Sequence, residues 1–392
     1  MAGLVAAPVV EGGRPERTAQ ARHCFWQSTL NESLDTSDMM VGPSDAAPTT
    51  MRAFSLVFAL LLLQFGPLPS PSDQLYARFG NYLESLRTQA GIPGMSAAIV
   101  GANDIIWERS FGLQDVARGI ATRPDTPFHL DGLTQVFTAT LVLRCVEEGR
   151  LALDDTISQF DGDNPERDAT VGELLAHTSD GTFVYRPERL DPMTTVVRHC
   201  TGDSYRETLA TLFDRFAMKD SVPGPDVVQL VPPAEGVPEP PAAERYASVL
   251  ERLAVPYAVP APGVAAASEY GARTLTPASG VISTVRDFAQ FDVALRQGLL
   301  VGPASLEQAW SRQTPGRPHG LGWFVQTYNG VTVVWQFGAS ETSSSFVLSV
   351  PARGLTLVML ANSAGLVRPF ALSNGDVMAS PFARVFLGLV FP

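Results

Sequence analysis

One segment, residues 133–146, constrains the fold more than any other because its apolar residues surround nearly the whole helical circumference. A helix that is apolar on every side is buried, since an exposed face would leave apolar surface in water. Asp131 stands where an N-cap residue is expected and Gly149 where a C′ glycine is expected, so both helix ends are marked. The sequence therefore predicts a protein built around one central helix.

Short apolar runs separated by turn residues predict antiparallel strands on both sides of this helix. Two runs between residues 94 and 112 flank Asn103-Asp104, which predicts a β-hairpin. The other predicted elements are strands at 322–327, 331–337, 344–350 and 355–360 and helices at 171–176, 205–216, 242–253, 285–295 and 381–389. This order predicts an α+β protein in which the hairpin joins the late strands in one antiparallel sheet, with a helical lobe inserted between them.

The N-terminal region reads as an export signal rather than as part of the fold. Residues 1–50 are polar and without pattern, and residues 53–65 form an apolar run of 13 residues after Arg52. A membrane span needs ~20 apolar residues, so residues 51–72 are predicted to be a signal peptide, with an uncleaved N-terminal anchor as the alternative. Translation is predicted to begin at Met51, and residues 1–50 are a non-structured or wrongly assigned leader.

The remaining chain, residues 73–392, is predicted to be one domain. Its sheet lobe covers residues 73–127 and 275–392, and its helical lobe covers residues 128–274. Export implies a periplasmic or extracellular location, and no contact with a membrane is predicted beyond the signal peptide or anchor.

Charge and residue usage exclude several classes of function. The net charge of -12 disfavours binding to nucleic acid. Lys219 is the one lysine in the chain and lacks the preceding glycines of a phosphate-binding loop. No zinc-type cysteine spacing, HExxH or GxGxxG motif is present, so neither a metal nor a cofactor is predicted. The Asp154-Asp155 pair and His177 are interpreted as structural residues.

The three cysteines leave two interpretations open. Free cysteine is among the most buried residue types, which favours Cys145 and Cys200 as two buried free thiols inside helices. A Cys145–Cys200 disulfide is the alternative.

Several landmark segments resemble the serine β-lactamase and penicillin-binding-protein superfamily, in particular the β-lactamase-related, class C-like hydrolases and esterases. The segments are FHLDGLTQVFTATLVLRCVEEGRLALDD (128–155), ELLAHTSDG (173–181), TGDSYRETLATLFDRFAMKDSV (201–222), ASGVISTVRDFAQF (278–291) and GLGW (320–323). The resemblance implies a β-lactamase/transpeptidase-like fold, with an antiparallel sheet flanked by helices and an inserted helical lobe.

The family's reaction uses a serine at the start of the buried helix and a lysine three residues later, on the same helical face. A lysine whose pKa is lowered by burial accepts the serine proton. The resemblance places this motif on GLTQ, with Gly132 at the serine position and Gln135 at the lysine position. Neither a glycine nor an amide can supply that chemistry, so the nucleophile and the general base are predicted to be lost.

Two further family motifs are only partly kept. The YxN motif falls on residues 185–187, where Tyr185 remains and Pro187 replaces the asparagine. The KTG or HxG motif falls on residues 336–338, where Gln336 is uncharged and Gly338 keeps the glycine that lets a ligand approach. The resemblance makes Tyr185 the retained catalytic candidate, with a half-buried packing residue as the alternative. A pocket roofed by Tyr185 and floored by residues 336–338 is predicted.

These observations predict an exported bacterial protein with a decayed catalytic set that acts as a binding or regulatory module of the cell envelope. Its partner would be a small-molecule, peptide or ester-like ligand. The alternative is an active serine-type hydrolase, resembling an esterase, a β-lactamase or a D-Ala-D-Ala peptidase, with a displaced motif or a recruited Thr134, Ser340 or Tyr185. A third interpretation is a purely structural role.

Overall fold

Period-2 alternation of side chains places apolar residues on both faces of a central antiparallel sheet. The protein is described by a computed structural model that covers residues 70–230, 234–239, 241–261, 263–313 and 316–392. The predicted leader and the apolar run at 53–65 lie outside the described residues.

The predicted strands and helices occur in the predicted order, together with further elements that the sequence did not predict. The strands are β1 (Gly94–Val100), β2 (Ile105–Asp115), β3 (Ile120–Ala121), β4 (Phe128–His129), β5 (Val222–Pro223), β6 (Tyr257–Ala261), β7 (Val264–Ala267), β8 (Val281–Ser283), β9 (Phe324–Tyr328), β10 (Val331–Ala339), β11 (Ser344–Val350) and β12 (Leu355–Ala361). The helices are α1 (Pro71–Gln89), α2 (Gln135–Glu147), α3 (Val171–Leu175), α4 (Met193–Thr201), α5 (Tyr205–Arg215), α6 (Ala242–Glu251), α7 (Val285–Arg296), α8 (Pro303–Ala309) and α9 (Pro381–Val390).

The main sheet has seven strands in the order β3-β2-β1-β12-β11-β10-β9, with every neighbouring pair antiparallel. The early hairpin joins the late meander through β1 and β12, where Met95 lies opposite Ala361. The prediction that the two parts of the chain share one sheet is therefore confirmed. Smaller sheets are formed by β4-β8-β5 and by β6-β7.

The sheet has a hydrophobic core on each face. Met95 and Ile99 point to one face and pack in the same cluster as Phe79 of α1 and Phe386 of α9. Ala98 points to the other face, into the cluster that contains α2. A sheet covered on both sides holds the backbone of its central strands away from water, which favours a rigid platform for a site at its edge.

Helix α2 is the predicted buried helix. Every residue from Gln135 to Leu143 is buried, and its C-terminus closes with Gly149 at φ 66° and a bond from the Arg150 N–H to the Cys145 carbonyl, a Schellman motif. The prediction for the N-terminus was wrong. A 3₁₀ turn, Asp131–Thr134, precedes the helix, and the side chain of Asp131 makes no capping bond. Its backbone is left-handed (φ 47°), which directs the carboxylate elsewhere.

Helix α1 was not predicted from the sequence. It begins with a capping box, in which Ser70 accepts a hydrogen bond from the Asp73 N–H and the Asp73 carboxylate accepts one from the Ser70 N–H. The predicted mature start near Asp73 lies inside this first turn. Among the helices of the described residues, none is both long and apolar enough to cross a membrane.

The expectation of two free buried thiols was also wrong. Cys145 of α2 and Cys200 of α4 form a disulfide, with their Cα atoms 6.0 Å apart. The two helices pack side by side in the same core, which brings residues separated by 55 positions within bonding distance. The bridge fixes α2 to the helical part of the fold.

Candidate functional site

The 3₁₀ turn before α2 packs directly against the end of β10. A Cβ atom added to Gly338 would lie 2.0 Å from the Leu130 carbonyl oxygen and 2.7 Å from the Gly132 nitrogen. No side chain fits there, so this position requires glycine. The sequence predicted that Gly338 leaves room for a ligand. In the structure, the space beside Gly338 is occupied by the backbone of the turn before α2.

Gly132 and Gln135 occupy successive turns at the start of the central helix. The Gln135 side-chain nitrogen donates to the Gly132 carbonyl (2.9 Å) and to the Tyr185 hydroxyl (2.8 Å). Its side-chain oxygen lies 2.9 Å from Nε2 of His177. The Arg186 N–H donates to His177 Nδ1, so Nε2 carries the ring proton and donates to Gln135. Every hydrogen-bonding atom of the Gln135 amide is therefore engaged.

Gln336 continues this set of bonds from the opposite side. The Tyr185 hydroxyl donates to the Gln336 side-chain oxygen (3.2 Å), and that oxygen also accepts the Phe337 N–H (2.9 Å). The Gln336 nitrogen donates to the Gly322 carbonyl (3.0 Å). Gln336 is completely buried, and its donor is already used, so the side chain predicted to meet a ligand is held inside the protein.

The titratable members of this network are neutral near pH 7. Desolvation lowers the pKa of His177 to about 4, and it raises the pKa of Tyr185 well above its ordinary value. Burial disfavours the charged form in both cases. We refer to Gln135, His177, Tyr185 and Gln336 as the amide network. Its one imidazole lone pair, on His177 Nδ1, already accepts the Arg186 N–H.

A groove with a volume of about 680 Å³ opens beside this network. Gly132, Tyr185, Pro187 and Phe337 line the groove, whereas Gln135, Gln336 and Gly338 do not. Tyr185, which was predicted as the roof of the pocket, therefore lines the groove. Of the three residues predicted as its floor, only Phe337 does so. Strand alternation explains the difference, because Phe337 projects to the opposite side of β10 from its neighbours.

Asp131 is the one buried carboxylate in the wall of this groove, and sequence reasoning missed it. It is 3% exposed, and its Oδ2 accepts a hydrogen bond from the Ser343 hydroxyl at 2.6 Å. Ser340, which lines the groove, has its Oγ 2.9 Å from that of Ser343. Desolvation raises the pKa of Asp131 to about 6. The run of hydroxyl residues at 340–345 is the sequence signal for such a group, because a buried carboxylate requires hydrogen-bond donors.

The other residues considered as nucleophile or base do not reach the groove. Thr134 is completely buried, and its hydroxyl accepts the Val281 N–H at 3.3 Å. Lys219 is exposed, in the turn between α5 and β5, and is not a groove residue. The described residues hold no cluster of three or more His, Cys, Asp or Glu side chains placed to bind a metal.

Comparison with known families identifies the fold. The family model described as "Beta-lactamase" matches residues 79–377. Penicillin-binding protein 4 of Amycolatopsis lactamdurans is 25% identical over 371 residues, covering 80% of this chain and 89% of that protein. The match includes all the elements that build the groove.

Solved structures with the same fold come from distant organisms. The octameric penicillin-binding protein homologue from Pyrococcus abyssi superposes with a TM-score of 0.66 at 17% identity, covering 80% of this chain and 77% of that one. The D-alanine carboxypeptidase AmpC from Burkholderia cenocepacia gives a TM-score of 0.64 at 19% identity, covering 80% and 99%. At these identities the superpositions establish a common architecture.

Proposed function

The chain belongs to the β-lactamase family, and from this premise we propose that it is a binding or regulatory protein of the bacterial envelope that holds a ligand in the groove without hydrolysing it. The proposal depends on the position of the nucleophile and base in the family. By the resemblance described above, those positions fall on Gly132 and Gln135.

The observation that carries the proposal is the saturation of the Gln135 amide. Its nitrogen donates both protons and its oxygen accepts one, all to protein groups. An amide in this state neither accepts a proton nor binds a reacting group. Loss of both nucleophile and base in comparable hydrolases lowers turnover by about 10⁶.

The size of the groove favours a small-molecule or peptide-like ligand. A volume of about 680 Å³ lies within the range of ligand sites, roughly 300–1,000 Å³. The similar proteins named above are described as a penicillin-binding protein and a D-alanine carboxypeptidase, which favours peptide-like or ester-like chemistry in the ligand.

Two features support an envelope location. The Cys145–Cys200 disulfide is typical of proteins that fold in an oxidising compartment. The similarity to a penicillin-binding protein over most of both chains is consistent with export.

A second candidate function is an active hydrolase that has recruited Ser340. Ser340 is the one proposed substitute nucleophile that both lines the groove and connects through hydrogen bonds to a carboxylate, by way of Ser343 and Asp131. Against it, the Ser340 oxygen also accepts the Ser343 N–H (3.1 Å), which turns its lone pairs toward the protein.

Covalent probes separate the two functions. The purified protein is incubated with a fluorescent penicillin and with a fluorophosphonate, and adducts are read by intact mass. The binding function predicts no adduct, together with a ligand-dependent rise in melting temperature. An adduct that disappears in Ser340→Ala would establish the hydrolase instead.

Restoring the lost groups provides a second test. The double variant Gly132→Ser with Gln135→Lys is expected to become labelled by the fluorophosphonate, whereas Gly132→Ala with Gln135→Lys is not. A Cβ atom at position 132 would lie 3.0 Å from the Phe337 carbonyl oxygen, so a small shift of β10 is required. An unlabelled but folded double variant would show that the groove no longer presents this position to substrates.

A further inference from the structure

The charge of the groove points to the chemistry of its ligand. Five of its lining residues carry a carboxylate, and none is a lysine, an arginine or a histidine. The five acidic residues are Asp131, Glu188, Asp191, Glu269 and Glu341.

Two of these carboxylates are neutralised at the rim. Glu269 pairs with Arg273, and Glu341 pairs with Arg368 at 2.8 Å, all on exposed side chains. Exposed pairs of this kind contribute little stability and leave the charge accessible to solvent. They do not account for the charge deeper in the groove.

Asp131 has no cation near it among the described residues. It makes no ion pair, and its hydrogen-bond donors are the neutral hydroxyls of Ser343 and Ser340. A carboxylate this deeply buried normally has a positively charged partner, because hydroxyl groups alone do not repay the loss of water. Glu188 and Asp191, which also line the groove, are likewise without an ion pair in the described part of the chain.

The groove is also lined by two aromatic residues. Tyr185 and Phe337 line it, with their ring centroids 5.0 Å apart and their planes tilted by 40°. The face of an aromatic ring attracts a cation and has no such attraction for an anion. The aromatic rings therefore favour the same sign of ligand charge as Asp131, on independent physical grounds.

We propose that the groove selects a ligand that carries a cationic group, such as an ammonium, and places that group between the Asp131 carboxylate and the rings of Tyr185 and Phe337. This inference rests on the proposed binding function and adds the charge of the ligand. A ligand with a free carboxylate is disfavoured, since its charge would be repelled by the carboxylates that line the groove.

The test uses three capped dipeptides of equal length, with phenylalanine followed by lysine, glutamine or glutamate. Affinity is measured by titration calorimetry and ligand-observed NMR on the full-length protein. The lysine peptide is expected to bind about tenfold more tightly than the glutamine peptide, and the glutamate peptide about tenfold more weakly.

A matched pair of variants assigns the effect to one carboxylate. Asp131→Asn is expected to reduce the preference for lysine over glutamine to about threefold or less. Asp168→Asn removes the same charge from a side chain that is 93% exposed and outside the groove, and it is expected to leave all three affinities unchanged.

The outcomes distinguish this inference from the function on which it rests. Equal affinities, tightest binding of the glutamate peptide, or no binding of any peptide would overturn the charge preference. Acylation or cleavage of a probe would overturn the binding function, and the order of the three affinities would still be readable.

Discussion

The side-chain nitrogen of Gln135 donates a hydrogen bond to the Tyr185 hydroxyl at 2.8 Å. Through this bond, Gln135 and Tyr185, which we propose stand at the positions of the family's base and of its proton-relaying tyrosine, become partners in one neutral network. Both side chains thereby serve the stability of the fold, and several measurable consequences follow from that.

The first prediction concerns the contribution of Gln135 to the stability of the fold. Gln135→Ala is expected to lower the free energy of unfolding by about 3 kcal/mol, because it creates a cavity and leaves His177 and the Gly132 carbonyl without their partner. Urea unfolding followed by fluorescence measures the change. Gln308→Ala, on the exposed surface of α8, is the control and is expected to change stability by about 0.5 kcal/mol or less. Equal effects of the two substitutions would contradict the role of the network.

Asp131 is expected to make stability depend on pH. Its pKa is raised from 3.8 to about 6 by burial, so the folded state binds a proton more tightly than the unfolded state does. Its favourable contribution is present below pH 3.8 and is lost as the pH rises through 6. At pH 8 the ionised group costs about 3 kcal/mol.

Asp131→Asn is therefore expected to be more stable than the native protein at pH 8 by up to that amount, with the difference vanishing near pH 4. Denaturant midpoints measured across this range test it. Asp287, whose pKa is also raised to about 6, is present in both proteins, so its contribution to the pH dependence cancels in the difference between them. A difference that stays constant with pH would show that Asp131 does not titrate in this way.

Two glycines provide a test of the contact between β10 and the turn before α2. Gly338→Ala places a Cβ atom 2.0 Å from a backbone oxygen and is expected to lower stability by about 3 kcal/mol or more. Gly388→Ala, in α9 with nothing within 4 Å of the added atom, is expected to raise stability by up to about 1 kcal/mol. Thermal unfolding distinguishes these opposite signs, and destabilisation by both would argue against the close contact.

The disulfide is expected to contribute substantially to stability. Closing a loop of 55 residues removes entropy from the unfolded chain equivalent to about 4 kcal/mol. The variant with Cys145→Ser and Cys200→Ser should unfold at correspondingly lower urea concentration. Adding a reductant should bring the native protein down to the stability of the variant and leave the variant unchanged. A native protein that is insensitive to reductant would indicate that the bridge does not form.

The fold was largely predictable because its elements are encoded locally. Asn103-Asp104 marks the first hairpin, and the segment 133–146, whose apolar residues surround nearly the whole helix, marks the central helix, whose end at Gly149 was placed correctly. Helix α1 was missed because its residues were divided between a presumed signal peptide and a polar segment. Its capping box, Ser70 with Asp73, was the available signal.

The site was less predictable because it depends on contacts across the chain. Asp131 has the residue type and place of an N-cap, yet its left-handed backbone and the hydroxyl of Ser343, 212 residues away, determine its actual role. Gln336 was predicted to face a ligand, but the Gly322 carbonyl holds it inside. The pairing of Cys145 with Cys200 likewise required the packing of two helices.

The saturated amide at position 135 also bears on how this lineage can change. A lone substitution of Gln135 by lysine would place a charge among partners already arranged around a neutral group, and a lone serine at position 132 would find no base. Under the proposed function, neither single substitution is therefore expected to produce hydrolysis, so selection for that activity would act only on the two changes together.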